Sequence, residues 1–326
     1  MERIIETLVV CVPVFAVMAV GKLLDRRGFM NTGRRHFVNE LVYRLALPSL
    51  IFNEVARQRF GSFFNPALVG VPLLVILLLV VLGGLWVRFM NYRGGFAAAF
   101  VFGTFWANVT YMGFPLARNA FGAEGLARAA VYNAFVMPFF IALGYALVAL
   151  YGGGHTVSVK DKLRQAMLNP IILAALAGVA VAATAEFWRL PDGSLGLPVV
   201  VLAALRLISS FLVLLGGMGL PLALLSIGAA LHGGNFVAYR KALAAVVCFK
   251  LVLFPLLVWA GIRLFFPQAD PVVLGVAVVL SATPNAVASY VVACQIGVEE
   301  GFVSAMLVLS TGLSVLTIPV WVYLVL

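Results

Sequence analysis

The chain has 326 residues, of which 63% are hydrophobic and 10% charged, and its mean hydropathy is +1.10. Such values exclude a soluble globular domain and leave no length for one beside the apolar segments. The net charge of +10 does not point to nucleic acid, because Lys and Arg sit in short stretches between apolar runs rather than on one continuous face.

Apolar segments of ~20 residues, the length that crosses the hydrocarbon core, predict an all-α integral membrane protein. Ten can be drawn, at 4–24, 37–56, 65–89, 96–121, 126–150, 170–188, 197–231, 242–266, 271–296 and 302–326. The start of the first holds Glu2 and Glu6 against Arg3, so it reads as a span rather than a signal peptide. The seventh is too long for a simple crossing and carries Arg206, which predicts tilt or an interfacial stretch.

Two of these segments are interrupted. In 107–122 the apolar run is broken by Asn108, Thr110, Gly113 and Pro115, and in 280–298 by Pro284 with Ser281, Thr283 and Asn285 beside it. A proline inside a helix removes a donor and clashes with the preceding turn. In lipid an opened helix survives only where protein or a water-filled cavity satisfies the freed backbone groups. Interrupted helices at corresponding places in two halves of a chain predict the binding site of a secondary transporter. The second half of each broken helix then starts near the midplane, with free N–H groups and a positive dipole end that suit an anion.

The halves answer one another. Residues 1–150 form a first set of five spans, 151–169 a short cytoplasmic linker, and 170–326 a second set. Leu47-Pro48-Ser49-Leu50 in the second span is matched by Leu220-Pro221-Leu222-Ala223 in the seventh. Five is odd, so the second set enters the membrane inverted and substrate binds between the repeats. Twelve Lys and Arg residues follow odd-numbered spans and seven lie on the other side, which places both termini away from the cytoplasm of the cell (inner) membrane.

At this point the chain resembles the auxin efflux carrier family in its compact bacterial form. The residues that carry the resemblance are 39–52 with Pro48, Asn108-Val-Thr-Tyr-Met-Gly-Phe-Pro115-Leu with Phe121-Gly122, Pro221 through Gly228, Ala282-Thr-Pro284-Asn285, and Ile318-Pro319. The resemblance implies ten helices in two inverted repeats, with broken helices four and nine crossing at their prolines, on a plan related to bile-acid sodium symporters. It implies a carboxylate substrate, a dicarboxylate or an auxin-like indole acid. Asn108 matches the family's asparagine ahead of Gly-x-Pro, and Asn285 its amide after the ninth-span proline. Two features depart from plant members: the long cytoplasmic loop is absent, and segment 65–89 lacks their Asp and Lys pair.

Asn108 and Asn285 each offer an amide able to donate to a carboxylate. With Pro115 and Pro284 they form the candidate substrate site, to which Thr283, Asn133, Tyr132 and Arg44 are added; Ser281 and Ser289 are weaker, since such hydroxyls often bond to their own helix. Arg44 lies four residues before Pro48 and, if buried in the membrane, costs ~2.5–3.5 kcal/mol, so a cavity or a partner is expected. Glu40 is on the same helix face and can neutralise it. Glu40 is also the default acid for proton coupling, because 65–89 holds no carboxylate. Lys250 is read as structural, its long stem snorkelling to the interface. Cys11, Cys248 and Cys294 share no repeated spacing, and the histidines none either, so no metal or cofactor is expected.

These readings converge on a secondary active transporter moving a small organic carboxylate by alternating access, surrounded by membrane lipid. H+ or Na+ as coupling ion and a homodimeric assembly stay open. The rivals are a non-transporting receptor or a channel for a small anion. An enzyme would need paired acids or a nucleophile with a His partner, and the apolar segments offer scarcely any acid and no His.

Overall fold

The computed structural model describes residues 2–57, 65–151, 168, 170–188, 196–230, 236–286 and 300–326. Most of the expected linker and the second half of the ninth span, with Ser289 and Cys294, lie outside the described residues. Among the described residues the chain is helical, with one isolated extended pairing, Ala107 against Asn285. In order the helices are α1 (Glu2–Arg26), α2 (Thr32–Leu41), α3 (Leu47–Ala56), α4 (Pro66–Phe89), α5 (Gly94–Phe105), α6 (Phe114–Tyr151) and α7 (Pro170–Glu186). There follow α8 (Val199–Gly217), α9 (Gly219–Ala230), α10 (Arg240–Cys248), α11 (Phe254–Phe265), α12 (Pro271–Ala282) and α13 (Glu300–Val325).

Proline placement explains much of this division. Pro48, Pro115 and Pro255 each follow a π turn by one residue, the turns being Val42–Ala46, Val109–Gly113 and Phe249–Leu253. In each case the residue before the proline closes the wide turn, with Leu47 N–H donating to Val42, Phe114 to Val109 and Phe254 to Phe249. The widened turn shifts the preceding carbonyls off the proline ring, so the helix passes through a residue that would otherwise break it. The carbonyl four residues before Pro255, that of Leu251, accepts instead from the Trp321 indole at 2.9 Å.

Pro284 has no such turn ahead of it, and there the helix stops. A proline pushes its predecessor out of helical geometry, and Thr283 is extended at φ −62°, ψ 148°. The Leu280 carbonyl, which Pro284 cannot serve, accepts from the Thr283 hydroxyl at 2.7 Å and from the Thr283 N–H at 3.4 Å.

Several expected boundaries change. The segment at 197–231 is divided into α8 and α9 at Met218, between Gly217 and Gly219, while Val199–Ala230 remains one apolar stretch long enough to cross a membrane. One expected boundary holds: between segments 96–121 and 126–150 helical geometry stops at Gly122, φ 64°, ψ −152°, a conformation open to glycine, so that α6 is two helices across a kink. Among the described residues six helical stretches are long and apolar enough to cross a membrane, and α5, α7 and α12 are shorter apolar helices. The second expected span is assembled from α2, a π turn and α3.

The main core gathers α3 through α6 and α10 through α13, and a second cluster lies beneath α1 around Val10, Met18, Met112, Leu224 and Ile318. The outer face of α8 is exposed apolar surface, with Val199, Leu207 and Leu214 uncovered. Helices α1 and α9 touch backbone to backbone. A Cβ on Gly228 would fall inside the Met18 carbonyl, and one on Gly21 inside the Leu225 carbonyl. Such small-residue contacts are how helices associate where no hydrophobic force drives them together. Gly228→Val is therefore expected to separate α1 from α9, costing about 1–3 kcal/mol or more, and a lowered Tm in detergent with loss of monodisperse protein on size exclusion checks it.

Candidate functional site

The site is built where α5 and α12 end. Past Phe105 the chain is extended through Trp106 and Ala107, and it re-enters helix at Asn108. This stretch lies antiparallel to Thr283–Asn285: Ala107 pairs with Asn285, and the Asn108 N–H donates to the Pro284 carbonyl at 2.8 Å. Each broken helix thereby satisfies backbone groups that the other exposes, the condition for irregular backbone inside a membrane.

The remaining carbonyls are met by side chains. Asn285 is fully buried, and its Nδ2 donates to Gly103 O at 2.8 Å and Trp106 O at 3.3 Å, capping the end of α5. Its backbone N–H donates to Ser310 Oγ at 3.2 Å. At the end of α12 the Lys250 Nζ donates to Ser281 O at 2.6 Å. The half-helix ends meeting here through α5 and α12 are carbonyl ends, carrying the negative end of the dipole. The opposite, N–H-rich end is contributed by the π turn that begins at Val109.

The sequence-predicted residues separate into groups. Asn108, Thr283, Pro284 and Asn285 come together at the bridge, and all four are buried. Asn133 is brought to the same first turn, its Oδ1 accepting from Thr110 Oγ1 at 3.4 Å. The amide of Asn108 is 3% exposed and donates no hydrogen bond to a described residue, whereas that of Asn285 is committed to the α5 cap. Pro115 lies elsewhere than expected: it is carried within the helix behind its π turn, and the fourth span breaks at Trp106–Asn108 instead. Arg44 and Glu40 are exposed and pair with each other at 3.0 Å, the helix-face partnership read from their spacing.

Lys250 does not snorkel. It is 0% exposed, its stem runs inward from the π turn Phe249–Leu253, and its Nζ sits 4.9 Å from the centroid of the Phe254 ring. Sequence reasoning also passed over Trp106 and Ser310. Trp106 stacks on Phe140 with centroids 5.5 Å apart, while its buried Nε1 and Asn285 Oδ1 have no partner among the described residues. A Ser-Thr pair in mid-span at 310–311 was the available sign of a hydrogen-bond partner for Asn285. A cavity of about 550 Å3 lined by Tyr92, Phe96, Tyr239, Arg240 and Lys241 contains none of the predicted site residues.

Long apolar helices and two broken helices that complete one another's backbone define a multi-pass helical membrane protein. Residues 6–322 match the family described as Membrane transport protein, and the chain belongs to that family, the one its auxin-efflux-carrier motifs resemble. It is 27% identical over 312 residues to a protein of Methanothermobacter thermautotrophicus named "Uncharacterized transporter", covering 94% of this chain and 95% of that one. It is 28% identical over 324 residues to a protein of Rhizobium meliloti named "Putative malonate transporter", covering 96% and 94%.

Proposed function

We propose that the chain is a secondary active transporter for a small organic carboxylate, a dicarboxylate such as malonate being the first choice. The observation that carries this reading is the Asn108 amide, buried and without an acceptor among the described residues, beside a backbone bridge between two broken helices. An amide beside the bridge with no protein acceptor among the described residues fits a group that binds cargo. The N–H groups opening the turn at Val109 add donors of the sign a carboxylate needs. The name of the Rhizobium relative favours the same chemical class.

Two inverted repeats, 1–150 and 170–326, joined by a short linker, account for the paired breaks, and alternating access follows as one bundle rocking about the crossing. Both termini face away from the cytoplasm in this arrangement, and cytoplasmic labelling of a cysteine placed at Leu326 would overturn both orientation and repeat plan.

Radiolabelled malonate uptake into proteoliposomes tests the function. Saturable uptake that is accelerated by malonate preloaded inside is the expected result. Binding without flux would identify a receptor, and flux without saturation or counterflow a channel.

A further inference from the structure

Glu54 is a second carboxylate of the expected second span, and it is buried, 7% exposed, near the end of α3. Its Oε1 lies 3.6 Å from Nη1 of Arg118 on α6. Among the described ion pairs this one joins two groups of helices. Lys22–Asp25, Glu40–Arg44 and Glu124–Arg128 each lie within one continuous helical run, and Arg128–Asp270 ties α6 to α12. α3 is fitted to α7 and α8 through glycines: a Cβ on Gly178 would press on Val55, and one on Gly216 on Leu50. The start of α6 is fitted to α12 in the same way, since a Cβ on Gly275 would fall on the Phe121 ring. Glu54 is thus fixed to one group and Arg118 to the other.

α3 packs on α6, α7, α8, α9 and the π turn Val42–Ala46. On α6 the ionisable side chains are Arg118, Glu124, Arg128, Tyr132, Tyr145 and Tyr151; α7 has Glu186, α8 Arg206, the π turn Tyr43 and Arg44, and α9 none. Arg128 is held by Glu124 and Asp270, and Arg44 by Glu40. Arg57, one turn after Glu54, is directed to α8, where it donates to Ser209 Oγ at 2.8 Å. A guanidinium stays charged at every working pH, so the influence of Arg118 on Glu54 is set by distance. A nearby cation favours the carboxylate form of a carboxyl group, and burial without one favours the acid form.

We propose that Glu54 is the proton-binding residue of the transport cycle. In the arrangement described it is ionised and paired with Arg118. When α6 and α12 move against α3, α7 and α8 the pair opens, Glu54 takes one H+ from water, and it returns that H+ to water when the pair closes. Glu40 does not suit this part, because its partner Arg44 rides on the same helical run. The inference rests on the reading of the chain as an alternating-access transporter. Arg118 enters it as a positioning residue, acting through Glu54.

The test is counterflow of radiolabelled malonate in proteoliposomes holding the full chain, with the same pH inside and outside and that pH stepped from about 5 to 9. Opening requires the proton, so wild-type counterflow should slow as pH rises, approaching about tenfold per pH unit at the alkaline end. Glu54→Gln, which keeps the shape of the protonated acid, should lose that fall and still exchange malonate. Titration of malonate itself acts on both proteins alike, so the difference between the two profiles belongs to Glu54. Arg118→Gln removes the cation that draws the proton off, so its fall should move about 1–3 pH units higher, and Arg118→Lys should restore the wild-type profile. Should Glu54→Gln fail to fold, the two Arg118 variants carry the comparison. Wild-type counterflow that is flat across the range, a Glu54→Gln profile that falls like the wild type's, or an Arg118→Gln profile that superposes on it would each overturn the proposal. Those outcomes leave counterflow, and with it the transport reading, in place; a wild type with no malonate counterflow at any pH would sink that reading and this one together.

Discussion

Asn285→Ala is expected to be among the most damaging single substitutions in the chain, although it removes only an amide. The side chain closes the end of α5 by donating to Gly103 and Trp106. Both carbonyls lie in a helix end that has no further turn to supply N–H groups. Each buried group left unpaired costs about 1–3 kcal/mol, so Tm should fall by several degrees, with transport lost because the bridge to Ala107 loosens. Asn285→Asp should do no better, since the carboxylate cannot donate to either carbonyl. Thermal unfolding followed by tryptophan fluorescence, with uptake measured on the same preparations, checks both. An alanine variant with wild-type Tm would mean the cap carries no weight.

Asn108→Ala should behave in the opposite way. Its side chain donates to no described residue, so the fold loses little and Tm should stay close to that of the wild type. Substrate affinity should drop by about 1–3 kcal/mol, roughly 5- to 150-fold. Loss of stability without loss of affinity would move the binding site away from this amide. The two asparagines look alike in sequence, each next to a break, yet the Asn285 amide is bonded to the end of α5 and that of Asn108 donates to no described residue.

That contrast marks what the sequence could and could not convey. The break after α12 is legible because Pro284 dictates it locally through Thr283. The break after α5 is legible only in outline, through Asn108 at the head of the interrupted stretch; no proline stands there, and pairing with residues 283–285, far along the chain, sets where the helix stops. Pro115 misled for a related reason: a proline signals a missing hydrogen bond, and a π turn upstream can absorb the loss. The Glu40–Arg44 pair was readable from its spacing of four, a purely local relation. The inward course of Lys250 was hidden because a lysine stem reaches either way, and only the packing of α12 against the π turn decides. The family, by contrast, was written in short motifs that need no tertiary contact to be seen.

The twelve residues of α12 are held at both ends. At the start Asp270 caps the helix through the Val272 N–H at 2.8 Å and also grips Arg128, a buried side chain of α6, at 2.8 Å. At the finish Lys250 grips Ser281. A rod pinned at each end by different neighbours cannot swing by itself; it is a strut, and it moves only with the bodies it braces. On the proposed alternating access, Pro271–Ala282 is expected to move with the part of α6 that holds Arg128 and with the π turn that holds Lys250. The contact between α1 and α9 lies outside that bracing, its glycines at backbone contact and its flanks filled by Val10, Met18, Leu224 and Ile227.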